Sequence, residues 1–276
     1  LNLLRFCKKY KKNVDPMKTA AQISDECKAF IKDDFRKDSY SNAYGHYKSD
    51  LFAQICRESK KASNVPYAGF DTFVNMSSGN PRNLLIVLGR AYEIAAFKEL
   101  DFINDAPLSI QLQTEAASEA ARFMYERDTN YGSQSDLARV AVERLALILR
   151  TARYSLNIPE VSPLAVSFSD DELTERARTV VDSALNYSFV FEVSAGRPDR
   201  NSQRVMRKIQ LNPLLSPRWG LPIGRRGDLS LGHDLLNAIF DPSGRNEFDV
   251  LLNNLHAKWN NPFSSSSVNI LQSALF

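Results

Sequence analysis

Residues 164–211 read LAVSFSDDELTERARTVVDSALNYSFVFEVSAGRPDRNSQRVMRKIQL. The hydrophobic period changes repeatedly along this stretch, and those changes decide the fold class. Residues 164–168 are short, apolar and β-like. Ser169 stands three residues before Glu172, the spacing of a capping box. Acids in a first turn also suit the positive end of a helix dipole. A helix is therefore expected to open at Ser169 and end near Asn186. Residues 187–193 (YSFVFEV) are aromatic and β-branched, which predicts a strand. Residues 204–211 alternate Val205, Arg207 and Ile209 against Met206, Lys208 and Gln210, which predicts a second strand. The two strands make a hairpin with a long basic tip, SAGRPDRNS.

A helix is expected just before this stretch, over 136–154. Helix, strand, helix and hairpin in that order form a winged-helix pattern. Such folds set a helix in the major groove of DNA and a basic wing on phosphate. The candidate phosphate contacts are Arg197, Arg200, Arg204 and Lys208. Only one long helix lies between the first strand and the hairpin, where two are usual. Its exposed face mixes Glu172, Glu175, Arg176, Arg178 and Asp182, and acids there oppose DNA. The wing is thus open to DNA or to a protein partner. Tyr187, Phe189 and Phe191 alternate on a strand and are expected to pack rather than to stack on bases.

Upstream, apolar spacing predicts helices over 17–37 and 44–61, then a break at Val65-Pro66. Ser77-Ser78-Gly79-Asn80-Pro81-Arg82 reads as a loop opening a helix, with Asn80 as N-cap and Pro81 in the first turn. That helix runs to about Leu100. It is apolar nearly all round at its start, so burial is expected. Arg82 lies where the helix dipole disfavours a cation by ~0.3–1 kcal/mol. Its guanidinium, with the free first-turn N–H groups, suits an anion such as phosphate. Further helices are expected over 108–128, capped by Ser109 or Thr114, and over 136–154, capped by Ser133 or Ser135. In the latter, Leu137, Val140, Ala141, Leu145, Ile148 and Leu149 face inward. Downstream, 212–221 reads as irregular, 224–228 as a turn, and 229–240 and 245–261 as helices. Trp219, between two prolines, is expected to pin its loop onto the domain.

The stretch Tyr67-Ala68-Gly69-Phe70, with Ser77 to Leu85 after it, resembles the start of the helical lid of AAA+ ATPases of the origin-recognition and initiator type. Residues 209–227, with Ser216-Pro217-Arg218-Trp219-Gly220-Leu221-Pro222, resemble the end of bacterial members of that group. The resemblance covers about residues 66–228. It implies that Arg82, in a turn with Gly79 and Asn80, is the nucleotide-sensing arginine of the lid. It also implies ATP as cofactor, held by a core domain, and action as an oligomer. The expected fold is mainly α with a small β component: a lid-like helical bundle followed by a winged-helix-like domain. The expected divisions are 1–65, a basic helical segment at the end of such a core; 66–128, the lid; 129–228, the winged region; and 229–276, a helical tail.

Composition narrows the function classes. Residues 1–61 carry 14 basic and 8 acidic side chains, net +6, while the remainder carries 21 and 24, net −3. Residues 195–226 hold eight Arg and Lys against one acid, Asp199. The sequence has no G-x-x-x-x-G-K-[ST], so these residues build no P-loop. Nor does it have G-x-G-x-x-G, H-E-x-x-H or G-x-S-x-G. No catalytic residue is therefore assigned, and at most an accessory part of an ATPase is expected. His46, His233 and His256 lie far apart, and no metal site is expected. Asp33-Asp34, Asp170-Asp171 and the Glu115/Glu119 pair read as solvated carboxylates. Cys7, Cys27 and Cys56 are odd in number and widely spaced, which suits a reducing cytoplasm. No run of about 18 apolar residues appears, so no membrane span is expected. Leu1 in place of Met raises the expectation of a fragment. Two other functions remain open: a winged-helix DNA-binding regulator without nucleotide, and a purely protein-binding adaptor.

Overall fold

The structure is a computed structural model and describes residues 1–9, 14–33, 38–58, 65–101, 107–126, 132–194, 206–241, 243 and 245–261. Three helices come first: α1 (Asn2–Lys9), α2 (Pro16–Lys32) and α3 (Ser39–Glu58). Asp15 caps α2, its carboxylate accepting from the Met17 and Lys18 amides, with Pro16 in the first turn. Asp38 does the same for α3 through Tyr40 and Ser41. Arg5 fastens the three together. It pairs with Glu26 of α2 and donates to the Ser39 carbonyl at 2.8 Å.

The next helices are α4 (Phe70–Ser77), α5 (Pro81–Phe97) and α6 (Ile110–Glu126). Ser109 caps α6, accepting from the Leu112 amide at 3.2 Å. Thr114 instead accepts from the Tyr67 amide and donates to the Ile110 carbonyl. The expected burial of α5 is not found. Only Asn83, Val87, Ala91 and Ala95 are buried, while Leu85 is 67% exposed and Tyr92 59%. One narrow stripe packs on α4 and α6, and the remaining apolar side chains face outward.

Helix α7 (Ser133–Arg153) begins before the expected start, behind Gly132 rather than a serine cap. The Ser135 hydroxyl donates to the Gly132 carbonyl at 2.7 Å, which closes the turn without capping it. Leu137 and Val140 are exposed, contrary to expectation. Ala138, Ala141, Leu145, Ile148 and Leu149 are fully buried. The inward stripe is therefore rotated by about one position from the one expected.

A four-stranded sheet packs against α7. Its strands are β1 (Ala165–Ser169), β2 (Val190–Ser194), β3 (Met206–Leu211) and β4 (Asp228–Ser230), in the order β2-β3-β1-β4. β3 pairs antiparallel with both β1 and β2. β4 adds a parallel edge, with Val166 opposite Leu229. Ser169 does not cap a helix. Residues Asp170–Glu172 make a single 3₁₀ turn. Thr174 is the N-cap, accepting from the Ala177 amide, and α8 (Glu175–Asn186) starts behind it. Residues expected to be irregular after β3 hold a 3₁₀ turn, Pro213–Leu215, and a one-turn helix, α9 (Ser216–Trp219). The expected helix over 229–240 is instead β4 followed by α10 (His233–Phe240). The last described helix is α11 (Arg245–Asn260). The protein is thus mainly α with a small sheet, as its sequence implies.

One buried cluster includes Met76, Ala117, Leu145, Phe168, Phe189 and Phe240, so both sides of the expected 128/129 boundary share a core. Phe189 is fully buried, while Tyr187 and Phe191 are half-buried. Trp219 lies edge-on to Tyr125 with ring centroids 5.5 Å apart, and it packs as expected. After it the chain turns through Gly220 at φ 66°. A Cβ at Gly220 would lie 2.7 Å from the Tyr154 hydroxyl. Gly220→Ala should therefore cost about 1–3 kcal/mol, from left-handed backbone strain plus the clash. Urea denaturation measures this, and an unchanged midpoint would refute the close approach.

Candidate functional site

The Ser77–Arg82 turn is built by its own hydrogen bonds. Ser78 leaves α4 in the left-handed region at φ 51°, and Gly79 follows at φ 76°. Two consecutive positive φ values reverse the chain, and glycine at the second lowers the cost. The Asn80 amide donates to the Ser77 carbonyl at 2.9 Å. Buried Asn83 reaches back to the same carbonyl at 3.4 Å. The Asn80 side chain accepts from the Arg82 amide at 3.0 Å.

This geometry corrects one expectation. The first-turn N–H groups are not free for an anion. Pro81 has none, the Arg82 amide is taken by Asn80, and the Asn83 amide bonds to the Asn80 carbonyl. Gly79 and Asn80 shape and cap the turn. The Arg82 side chain is exposed.

Beside it runs the feature that the sequence reading missed. Leu85, Leu88 and Tyr92 follow Arg82 at helical spacing on the exposed side of α5, and Phe97 at its end is 87% exposed. Phe70 and Val74 of α4 are exposed as well. The signal was present as apolar residues all round the helix. Composition alone does not separate such an exposed apolar face from one buried within the chain.

Of the four basic residues placed on the hairpin, Arg197, Arg200 and Arg204 lie outside the described residues. Lys208 sits on β3 between β1 and β2. Its ammonium is 2.6 Å from the Asp228 carboxylate of β4, and both side chains are about three-quarters buried. Arg207 is the less exposed basic residue of this strand. It lies 3.3 Å from Glu192, 3.5 Å from Asp170 and 3.9 Å from Asp182, so three acids surround one cation. Arg178 donates to the Asp170 carbonyl at 2.9 Å. A wide cleft of about 890 Å³ beside α10 and α11 is also acidic, with Asp234, Asp241 and Glu247 in its wall.

The Glu115/Glu119 pair holds ordinary surface partners, Glu115 meeting Lys98 at 2.8 Å and Glu119 meeting Arg122 at 2.5 Å, while Asp34 of the Asp33-Asp34 pair lies outside the described residues. Among the described residues, no group of three His, Cys, Asp or Glu side chains gathers as a metal site. No described helix is long and apolar enough to cross a membrane.

No curated protein and no solved structure matches the chain. A family model described as ORC-CDC6-like matches residues 2–231, which takes in the three N-terminal helices, the Arg82 turn and the whole sheet. With that match over most of its length, the chain belongs to the ORC-CDC6-like family, and it is related to the initiator-type AAA+ ATPases.

Proposed function

We propose that this chain is the regulatory and assembly part of an AAA+ switch. Arg82 reads the phosphates of ATP held by a core domain, and the exposed face of α4 and α5 packs on that core. One observation carries this reading: an exposed arginine opens a helix whose exposed side is apolar. A large exposed apolar surface marks an interaction site. An arginine at its margin is placed to bond an anion that the partner holds, with partly desolvated, charge-assisted geometry. Lid rotation coupled to the phosphate state would then be transmitted by α5, which the Asn80 cap and the Asn83 anchor make rigid at its start.

Arg82→Ala in the full-length protein tests this. Loss of a charge-assisted hydrogen bond, worth about 1.5–3 kcal/mol, should weaken ATP binding by roughly 10- to 150-fold. The start of α5 should persist in the variant, because the Asn80 cap uses the Arg82 backbone and not its side chain. An unchanged ATP response removes Arg82 from this role.

For the second half, strand order β2-β3-β1 behind α7, with α8 between β1 and the hairpin, supports a winged-helix-like unit. The 3₁₀ turn at Asp170–Glu172 stands where that pattern usually has another helix. Charge divides the labour within it. The surface around Arg207 carries Asp170 of the 3₁₀ turn, Asp182 of α8 and Glu192 of β2, which suits protein rather than DNA. Residues 197–204 hold three arginines against one acid, which suits phosphate. In this reading DNA meets the wing tip and a protein partner meets α8.

A further inference from the structure

Between the end of α3, the C-terminal half of α7 and the loop after α9 lies a cavity of about 180 Å³. Arg57, Arg150 and Arg218 line it, together with Tyr154, Ser118 and Trp219. Among the described residues no carboxylate lines it. Arg218 is paired outside the lining, 3.0 Å from Glu126, and its guanidinium lies 4.4 Å over the Tyr125 ring. Arg57 and Arg150 lie 5.0 and 6.0 Å from the centroid of the same ring, Tyr154. Among the described residues neither is paired with an acid.

The arrangement costs energy as it stands. A third guanidinium, Arg153, lies 6.0 Å from that ring, although Asp50 neutralises it. Two like charges held over one ring repel, and the ring compensates only in part. The ring itself is held firmly. Tyr154 donates to the Gly220 carbonyl at 3.0 Å, and a Cβ at Gly220 would crowd the Tyr154 hydroxyl. A guanidinium stacked on a ring uses its face, and its N–H donors remain at the edge for an acceptor. These positions come from elements distant in sequence, so no local motif signals them.

We propose that this cavity binds a phosphate dianion, as inorganic phosphate or as the terminal group of a phosphate monoester. Three features select that ligand. Two unneutralised guanidiniums match two negative charges, whereas a phosphodiester or a carboxylate brings one. Arginine forks suit the tetrahedral oxygens of phosphate. The volume suits one phosphoryl group, while sites for whole small ligands run to about 300–1,000 Å³. The site is separate from the nucleotide reading above, because Arg82 does not line it.

Calorimetric titration of the full chain with inorganic phosphate at pH 8 and low salt tests the proposal. Saturable binding is expected, weakened at least tenfold by Arg57→Gln and by Arg150→Gln. Both side chains are exposed at the surface and repel each other, so neither change should lower the melting temperature. Lys28→Gln, which removes a charge outside the lining, should leave binding intact. Methyl phosphate identifies the source: equal binding assigns a monoester, and binding of inorganic phosphate alone assigns the free ion. For methyl phosphate, affinity should fall as the pH drops through about 6, where a monoester gains its second proton. The proposal is overturned by the absence of saturable binding, by binding indifferent to both Arg variants, or by dimethyl phosphate or acetate binding as tightly as inorganic phosphate.

Discussion

Asp50→Ala should lower the free energy of unfolding by about 3–5 kcal/mol, the cost of leaving a buried charge without its partner. Asp50 is fully buried on α3 and lies 3.0 Å from the guanidinium of Arg153, which is 2% exposed on α7. The second carboxylate oxygen accepts from the Ser162 amide at 2.7 Å. Arg153 also donates to the Gly220 carbonyl. The Asp50–Arg153 pair therefore ties the N-terminal helices to α7, to the approach to β1 and to the loop after α9. Burial pushes the Asp50 carboxyl above its ordinary value, against the pull of the Ser162 amide and Arg153. Desolvation thus outweighs attraction at this carboxyl. A buried ion pair of this kind often contributes less to stability than a packed apolar pair would. The double variant Asp50→Leu, Arg153→Met should recover most of the loss, because a packed apolar pair carries no desolvation penalty. Urea denaturation of both variants checks this. A loss under about 1 kcal/mol for Asp50→Ala would mean that Arg153 finds water or another acceptor. Failure of the double variant to recover would mean that the pair contributes net stability.

That pair also shows what could be read in the sequence and what could not. Local chemistry was legible. Asn80 and Pro81 mark the start of α5, Ser109 that of α6, and the aromatic, β-branched run 187–193 marks β2, because each signal acts within a few residues. The errors have one physical source, competition between neighbouring signals that only tertiary packing resolves. Ser169 and Thr174 both precede acids, and β1 extends through Ser169 because Met206 pairs opposite it, so the cap passes to Thr174. β4 is three residues long and exists because β1 offers a free edge. Arg82 could be found in sequence because a turn and a cap point to it. The Arg57, Arg150 and Arg218 cavity could not, since α3, α7 and α9 meet only in the folded chain. Asp50 has no sequence signal either: a lone acid in mid-helix reads as solvated until its neighbours are known.

Replacing Arg197, Arg200 and Arg204 with Ala should have the largest effect on any DNA binding, whereas Lys208→Ala should add little. Each phosphate contact contributes about 0.9 to the slope of log affinity against log salt on duplex DNA, so the triple variant should flatten the slope by up to about 2.7. Three charge-assisted hydrogen bonds at about 1.5 kcal/mol or more each correspond to a loss of at least about 10³-fold at fixed salt. Lys208 differs because its ammonium is already held 2.6 Å from Asp228 inside the sheet. Leaving Asp228 for a phosphate would cost the pair it already has. Its removal should act on stability, by the modest amount that a partly exposed ion pair contributes. Fluorescence anisotropy with a duplex over a salt series separates the two classes of residue. An unchanged slope in the triple variant would take DNA away from the wing tip and leave the acidic face around Arg207 as the contact surface, with a protein as its partner. A slope that falls as much for Lys208→Ala as for each arginine would mean that the Lys208–Asp228 pair opens on binding, and that β4 moves with it.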